Sequence, residues 1–509
     1  MRADNDHRTA PPHFDGPVRR PVLLRDVRLG LRGPMRSIRL AEGRVAAIGE
    51  NLDAAPSDEV VDAGGRTVLP GLHDAHVHMV QWASARQRID LSATTSALSA
   101  AATMGAAAEN ANHATPLLGY GFRDGLWPDR PERWMLEQNC PPDQPIALIS
   151  NDLHTAWLNR AALHRVGLAD HPTGLLREHE CFSAVNRLSA VDPVVTDRWV
   201  TAAIRAAAAR GVTSFLDFES GGNLGDWQRR AGAAALQARV IGAVYPAQLA
   251  ETIEEGLRTG SVVPGTGGLV TVGPVKMFMD GSLNTRTALC QYPYPERMPA
   301  DQQYGLLETD PGALEELMRH AWSHGLHTAV HAIGDRANRI ALDVFDLVGS
   351  AGRIEHAQLV DVADLPRFAR PGLTLGVQPT HATDDRDVAD RHWAGHTHRA
   401  FAYADLLKAG ARLEIGSDAP VSPMDPWLGI AAAVTRTGAD ERAPWHPEQA
   451  ISLSAALRAA SGGRSAVALG DVADLLLCDE DPADLDPREL RTVPVAATLL
   501  GGAWTHRTF

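Results

Sequence analysis

Between residues 69 and 466, short apolar runs alternate with longer segments in which apolar residues recur at helical spacing. Apolar runs rich in Val, Ile and Leu are typical of buried parallel strands, and the longer segments are typical of helices. One of them, PGALEELMRHAWSHG, begins at Pro311 and ends at Gly325, the usual asymmetry of a helix. We predict eight strands: Leu69–His76, Val212–Asp217, Arg239–Tyr245, Val275–Asp280, His327–His331, Arg353–His356, Thr374–Gln378 and Arg412–Gly416.

Eight strand–helix repeats predict an α/β fold, a (β/α)8 TIM barrel over residues 69–466. Residues 79–205 are too long for a crossover between the first two strands, so we expect an inserted subdomain that caps the barrel mouth. Residues 21–68 and 467–509 read as short strands between turns, which predicts one small β-sandwich built from both termini. Residues 1–20 contain no apolar segment, and we expect a disordered leader there.

Composition narrows the classes of partner. The 509 residues are 44% hydrophobic, enough for a large core, and the charge balance of 48 basic against 62 acidic residues gives −14. This acidic balance argues against nucleic acid or an anionic membrane as the main partner. No stretch reaches the roughly 18–20 apolar residues of a membrane span. The four cysteines are widely spaced: Cys140, Cys181, Cys290 and Cys478. Such spacing is typical of free thiols in a reducing compartment, so we expect the protein in the cytoplasm.

Residues that can carry chemistry stand at the predicted strand ends, where barrel active sites are built. The first strand runs into VLPGLHDAHVHM, in which His76 and His78 share one face of an extended segment. Two such imidazoles can pack, bind water or hold a metal ion. The fourth strand carries Lys276 and ends at Asp280. Later strands end at His331, His356 and Asp418.

Ten stretches in a fixed order give the chain a family resemblance. It resembles the amidohydrolase superfamily and, within it, the YtcJ-like branch (amidohydrolase family 3). The shared stretches span about Val68 to Pro482: LPGLHDAHVH, GYGFRDGLWPDRPERWMLE, DLHTAWLNRAAL, PTGLLRE, VKMFMDGSLNTRTA, VHAIGDRAN, RIEHAQLV, VQPTHATDD, GSDAPVSPMDPW and VADLLLCDEDP. The segment before PTGLLRE is shorter than the family's pattern, which affects the expected lid.

The resemblance implies a divalent metal cofactor, two Zn²⁺ ions per chain. His76 and His78 would hold one ion with Asp418, since zinc prefers imidazole nitrogen and carboxylate oxygen. The second ion would be held by His331 and His356. The resemblance further implies that Lys276 is carboxylated and bridges the two ions; a buried lysine beside cations favours the neutral amine, which reacts with CO₂. The alternative is that Lys276 pairs with Asp280.

The implied activity is that of a metal-dependent amidohydrolase, cleaving a non-peptide C–N bond of a small amide, N-acyl or N-formyl substrate by metal-activated hydroxide. Asp418 would be the catalytic base that passes the water proton to the leaving nitrogen, or else a metal ligand alone. Substrate contacts are expected from Asp152 and His154 in the insertion and from His381 after the seventh strand. The alternative for Asp152 and His154 is that they only cap a local turn.

Other functions stay open at this stage. The same scaffold could hydrolyse lactones, esters or phosphoesters, and a non-catalytic barrel relative is a further alternative. We expect no nucleic acid or membrane partner, and a homodimer is left open. A second histidine group, His392, His396 and His398, is interpreted as a solvated loop and not as a metal cluster.

Overall fold

The computed structural model describes residues 20–109, 111–112, 115–189, 191–234, 236–440 and 442–509. The predicted leader therefore lies outside the described residues, apart from Arg20. At the centre stand eight strands, each parallel to the next in chain order. They are Leu72–Val77, Val212–Asp217, Arg239–Val244, Val270–Phe278, Thr328–Ala332, Gly352–His356, Leu373–Val377 and Arg412–Ile415.

The last strand returns to the first, which makes the sheet a barrel. The backbone N–H of Asp418 donates to the carbonyl of His76 at 2.7 Å, and the N–H of His78 donates to that of Ala419 at 2.8 Å. Every predicted barrel strand overlaps an observed one. The (β/α)8 prediction is confirmed, and the ends of the first and last strands meet at the mouth.

The first barrel strand begins later than predicted, because residues 69–76 are divided between two strands. Thr67–Pro70 is a separate strand of the terminal module, and the barrel strand starts at Leu72. Between them, a side chain on Gly71 would place its Cβ 2.3 Å from the hydroxyl oxygen of Thr213. The close approach of the second strand therefore requires glycine at this point.

Helices cover the outside of the barrel. The helix predicted to begin at Pro311 runs Pro311–Ser323; the Asp310 carboxylate accepts a hydrogen bond from the N–H of Gly312 at 2.9 Å, which caps its first turn. Its apolar face is buried against the barrel, so packing holds the helix there. The other helices from residue 193 onward are Pro193–Ala208, Asn223–Ala233, Leu249–Glu254, Asp335–Val348, Pro379–Asp384, Arg386–His392, Tyr403–Ala409, Pro426–Thr435 and Leu453–Ala459.

Strands from both terminal regions of the chain pair in one β-sheet. Thr67–Pro70 pairs antiparallel with Leu475–Cys478, which joins the N-terminal and C-terminal strands. The strand Val22–Leu29 pairs with Glu59–Asp62 along its first half and with Thr67–Pro70 at its end, and the change comes at a bulge where Asp26 has φ 51°. The sheet has an apolar core of its own. The remaining strands of this sheet are Met35–Ala41, Arg44–Gly49, Glu59–Asp62, Val495–Leu500 and Ala503–Arg507.

The segment of chain that connects the first barrel strand to the second forms a separate five-stranded sheet. We propose that this sheet is the inserted subdomain. The Tyr120 hydroxyl donates to the carbonyl of Pro420, and the Asn151 amide donates to that of Val421 at 3.0 Å. The sheet thus contacts the loop that carries Asp418. Its strands are Ile89–Asp90, Leu117–Phe122, Ile146–Ser150, Thr155–Leu158 and Leu175–Arg177; the helices of this region are Met79–Ala85, Ala97–Ala108, Arg133–Asn139, Arg160–Arg165 and Glu178–Leu188.

Among the described residues, no helix combines the length and the apolar character needed to cross a membrane.

Candidate metal centre

The structure brings His76, His78 and Asp418 together at the mouth of the barrel. The Nε2 atoms of both histidines lie 3.5 Å from Oδ1 of Asp418. One ligand atom from each of the three lies within 4.8 Å of those of the other two. His76 and Asp418 are buried, and His78 is half-buried. Two imidazole nitrogens and a carboxylate oxygen, converging from two strand ends, fit the donor set of a zinc site.

Backbone conformation at these strand ends is unusual. Asp418 has φ 56° and His356 has φ 79°, both in the left-handed region that side chains other than glycine rarely occupy. Such a conformation costs on the order of 1–3 kcal/mol and persists where surrounding structure requires it, often at functional sites. Here the strained backbone turns both side chains into the mouth.

Partners on the far side of three imidazole rings orient them. Oε2 of Glu355 lies 2.8 Å from Nδ1 of His76, and Oε1 of Gln378 lies 3.0 Å from Nδ1 of His356. Oδ1 of Asp280 lies 3.3 Å from Nδ1 of His331. The hydrogen bonds of His76 and His356 fix the proton on Nδ1 and leave Nε2 free to bind a cation.

Glu355 is itself held by charge deep inside the barrel. Its other oxygen accepts a hydrogen bond from Arg353 at 2.7 Å, and Arg353 also pairs with Glu414. Burial would raise the pKa of Glu355, but the Arg353 charge and the His76 hydrogen bond outweigh it and lower the pKa to about 2. Glu355 is therefore a carboxylate at any pH at which the protein would work.

A second group of donors shares Asp418 with the first. It consists of His356, His381 and Asp418, whose ligand atoms also lie within 4.8 Å of one another. The ring of His331 lies 4.4 Å from that of His356, measured between centroids. Nε2 of His381 is buried, lies 3.9 Å from Oδ2 of Asp418 and has no hydrogen-bond partner among the described residues.

Lys276 lies at the centre of the site and does not pair with Asp280. It is 1% exposed, and its Nζ lies 4.3 Å from the ring centroid of Phe218. The carboxylate of Asp280 instead accepts hydrogen bonds from three backbone N–H groups and faces His331. The alternative pairing of Lys276 with Asp280 is therefore wrong. Burial lowers the pKa of Lys276 to about 8, which raises the fraction of neutral amine at neutral pH.

The electrostatics of the site suit a cation. Burial lowers the pKa of His76 to about 4 and also lowers the pKa values of His331 and His356, so these rings are neutral at neutral pH. Burial opposes the charge on Asp418, but neighbouring imidazoles hold its pKa well below the ordinary range. The pKa of His78 is raised, against its burial, by its contact with Asp418. A carboxylate beside the neutral rings of His76, His331 and His356 can bind a divalent ion.

The insertion contributes a histidine–carboxylate pair beside this centre. Nδ1 of His154 lies 2.6 Å from Oε2 of Glu178. Burial would lower the pKa of His154, but the hydrogen bond and charge of Glu178 raise it to about 9. Asp152 accepts hydrogen bonds from the Ser150 hydroxyl and the His154 N–H, so it holds the local turn, and its other oxygen faces Ser282.

One sequence interpretation is corrected by the structure. His392 was expected in a solvated loop, but it is 4% exposed at the end of the helix Arg386–His392. It lines a cavity of about 80 Å³ with Trp393 and Arg399, and neither group of metal donors includes it. One side of the helix is buried by packing, and the many charged residues of this segment had not indicated that burial.

Sequence reasoning missed several groups in the site. Glu355 and Gln378 contact the histidines only through tertiary structure, and Gln358, whose amide lies 3.2 Å from Nδ1 of His381, was also missed. Phe278 was missed as well, although its spacing of two from Lys276 places both on one face of the strand. That spacing was the signal that could have identified it.

Comparison with known proteins agrees with this geometry. The model of the amidohydrolase family matches residues 59–506. The chain is 29% identical to YtcJ of Bacillus subtilis (strain 168), over 88% of this chain and 90% of that protein. It is 26% identical to the N-substituted formamide deformylase of Arthrobacter pascens, over 92% and 94%.

A crystal structure of a metal-dependent hydrolase from Pyrococcus horikoshii shares the fold. It superposes with a TM-score of 0.74 at 25% identity, over 92% of this chain and 99% of that one. A family match over nearly the whole sequence, together with the barrel and its histidine-rich mouth, determines the assignment. The chain belongs to the amidohydrolase family, within the superfamily of metal-dependent amidohydrolases.

Proposed function

We propose that this protein hydrolyses a non-peptide C–N bond in a small amide, N-acyl or N-formyl compound. The observation that carries the proposal is the convergence of His76, His78 and Asp418, with their ligand atoms within 4.8 Å, at the end of a barrel of this family. The name of the Arthrobacter relative, a formamide deformylase, supports a C–N bond as the target. Fold alone would not, because one scaffold serves many reactions.

Two zinc ions are the proposed cofactor. His76, His78 and Asp418 would hold the first ion, and His331 and His356 the second. Lys276, carboxylated on Nζ, would bridge them; its burial and its pKa of about 8 support a neutral amine that can take up CO₂. When bound, such ions activate a water molecule and polarise the substrate carbonyl.

Asp418 is the proposed general base. Its low pKa keeps it ionised at neutral pH, so it can accept the proton of the attacking water. Oδ1 faces His76 and His78, while Oδ2 faces His381 and is free to move that proton. Passing the proton to the leaving nitrogen allows the C–N bond to break, because an unprotonated amine is a poor leaving group.

His381, His154 and Asp152 are the proposed substrate contacts. Gln358 donates to Nδ1 of His381, so a neutral His381 carries its proton on Nε2 and can donate it to a substrate oxygen. The raised pKa of His154 keeps that ring protonated, and it can donate from Nε2. Asp152 acts through the turn that holds His154 in place.

The cytoplasm is the proposed location. All four cysteines are free and buried, and such thiols are typical of reducing compartments.

An activity screen with metal analysis tests the proposal. Purified protein, supplemented with zinc and bicarbonate, is assayed against N-acyl, N-formyl and cyclic amides, with esters, lactones and a phosphoester alongside. We expect amide hydrolysis that Asp418→Asn loses, and near two zinc-class ions per chain by elemental analysis. Hydrolysis of esters or lactones alone would reject the amide assignment, and a folded, supplemented protein without metal would reject the site.

A further inference from the structure

An exposed phenyl ring stands inside the mouth of the barrel. Phe278 is 39% exposed, although it ends a central strand whose preceding residues are almost all buried. It lies two residues after Lys276, so both side chains point to the barrel interior. Nζ of Lys276 lies 5.2 Å from the centroid of the Phe278 ring, and the ring of His331 lies 5.4 Å away. This partly exposed ring therefore borders the proposed metal centre.

A second exposed phenyl ring reaches the mouth from the insertion. Phe182 is 42% exposed on the helix Glu178–Leu188, and its ring lies 5.4 Å from that of His154, edge to face. Glu178, which binds His154, accepts a hydrogen bond from the Thr287 hydroxyl at 3.1 Å. Thr287 belongs to the loop that follows Phe278, where its hydroxyl also accepts from the N–H of Ser282 at 2.9 Å. Hydrogen bonds through Glu178 and Thr287 thus connect the base of the Phe182 helix to the loop that follows Phe278.

We propose that Phe278, with Phe182 as the opposite wall, receives a flat apolar group of the substrate and makes the enzyme selective for amides that carry an aryl substituent. This inference rests on the proposed amide hydrolysis and adds the class of substituent. Exposed apolar rings lose contact with water when a ligand covers them, and aromatic pairs gain further from stacking or edge-to-face contact. Phe278 also borders the reacting centre, so the covered group would lie next to the scissile bond.

The test compares two amides that differ in the substituent on nitrogen, N-benzylacetamide and N-butylacetamide. We expect wild-type protein to prefer the benzyl compound in kcat/KM, and Phe278→Ala to lower this preference about tenfold. Phe278→Leu should keep part of the apolar contact and fall between the two. Phe182→Ala should lower the preference through KM, with kcat retained. Trp322→Ala removes an exposed aromatic side chain on the outer helix Pro311–Ser323 and should leave the preference unchanged.

Equal kcat/KM values for the two amides in wild type, or an unchanged preference in Phe278→Ala, would overturn the inference while leaving amide hydrolysis intact. If neither amide is turned over, binding decides the matter. Saturation-transfer NMR should show the benzyl protons of N-benzylacetamide in contact with wild type and not with Phe278→Ala. Contact in both proteins, or in neither, would overturn the aromatic wall, whereas the expected contact without turnover of any amide would reject only the proposed reaction.

Discussion

The carboxylate of Glu355 lies directly behind His76, with Oε2 2.8 Å from Nδ1, and the two residues are 279 positions apart in the chain. Both side chains are buried, and Glu355 is fully ionised because Arg353 lowers its pKa. The pair fixes the tautomer of His76 and aims Nε2 at Asp418. A residue that makes no contact with the proposed ion thereby decides how well one of its ligands is oriented.

Replacing Glu355 with glutamine should weaken metal binding without removing a ligand. Glu355→Gln keeps the size of the side chain but lacks the charge that orients His76, so we expect about a 10- to 100-fold loss of zinc affinity. Dialysis against graded chelator, followed by elemental analysis, measures it. Glu316→Gln, on an exposed face of an outer helix, is the control. Wild-type affinity in Glu355→Gln would mean that the hydrogen bond does not orient the ligand.

Lys276 should control how the metal centre assembles. If its carbamate bridges the ions, metal loading of apo-protein should be faster with added bicarbonate. The gain should be greater near pH 8 than at pH 6.5, because the pKa of about 8 leaves more neutral amine at the higher pH. Lys276→Ala should lose activity and regain part of it with short carboxylic acids. A Lys276→Met protein that keeps full activity and both ions would contradict the carbamate.

Asp418 should affect turnover much more than substrate binding. General acid–base catalysis contributes typically about 10²–10⁴-fold, so Asp418→Asn should fold, bind substrate and turn over at least about a hundredfold slower. Steady-state kinetics separate kcat from KM, and circular dichroism checks the fold. His320→Ala, an exposed histidine on an outer helix, should retain wild-type kinetics. If Asp418→Asn turned over at the wild-type rate, the active site would lie elsewhere.

The His154–Glu178 pair should stabilise the protein within a limited pH range. The pKa of His154 is raised from 6.5 to about 9, so its contribution is complete below pH 6.5 and is lost as the pH rises through about 9. Glu178 has a pKa below its usual 4.5, so its contribution is present above pH 4.5 and is lost as the pH falls below that value.

Thermal unfolding of wild type and His154→Gln across pH 4–10 measures this contribution. The difference in Tm should be largest between about pH 4.5 and 6.5 and should shrink toward pH 9. The double variant His154→Gln/Glu178→Gln removes both partners and should show little of this pH dependence. A Tm difference that is constant over the whole range would show that the pair is not an ion pair in the folded protein.

The order of apolar runs was sufficient to predict the barrel, because a strand and its following helix have local periodicities. His76, His78, His331, His356 and Asp418 could be identified as a group for the same reason. Each ends a strand, and the ends of parallel strands in a closed barrel meet at one mouth. No long-range information was needed for this step.

Tertiary structure alone decided which partners those residues have. Glu355 meets His76 only because the barrel closes, and Asp280 faces His331 and not Lys276 because three backbone N–H groups hold it. Burial is likewise a property of packing: the charged segment around His392 is buried on one side, and Phe278 is exposed in a central strand. Local sequence determines which way a side chain points along its own strand or helix, but what it then contacts depends on elements far away in the chain.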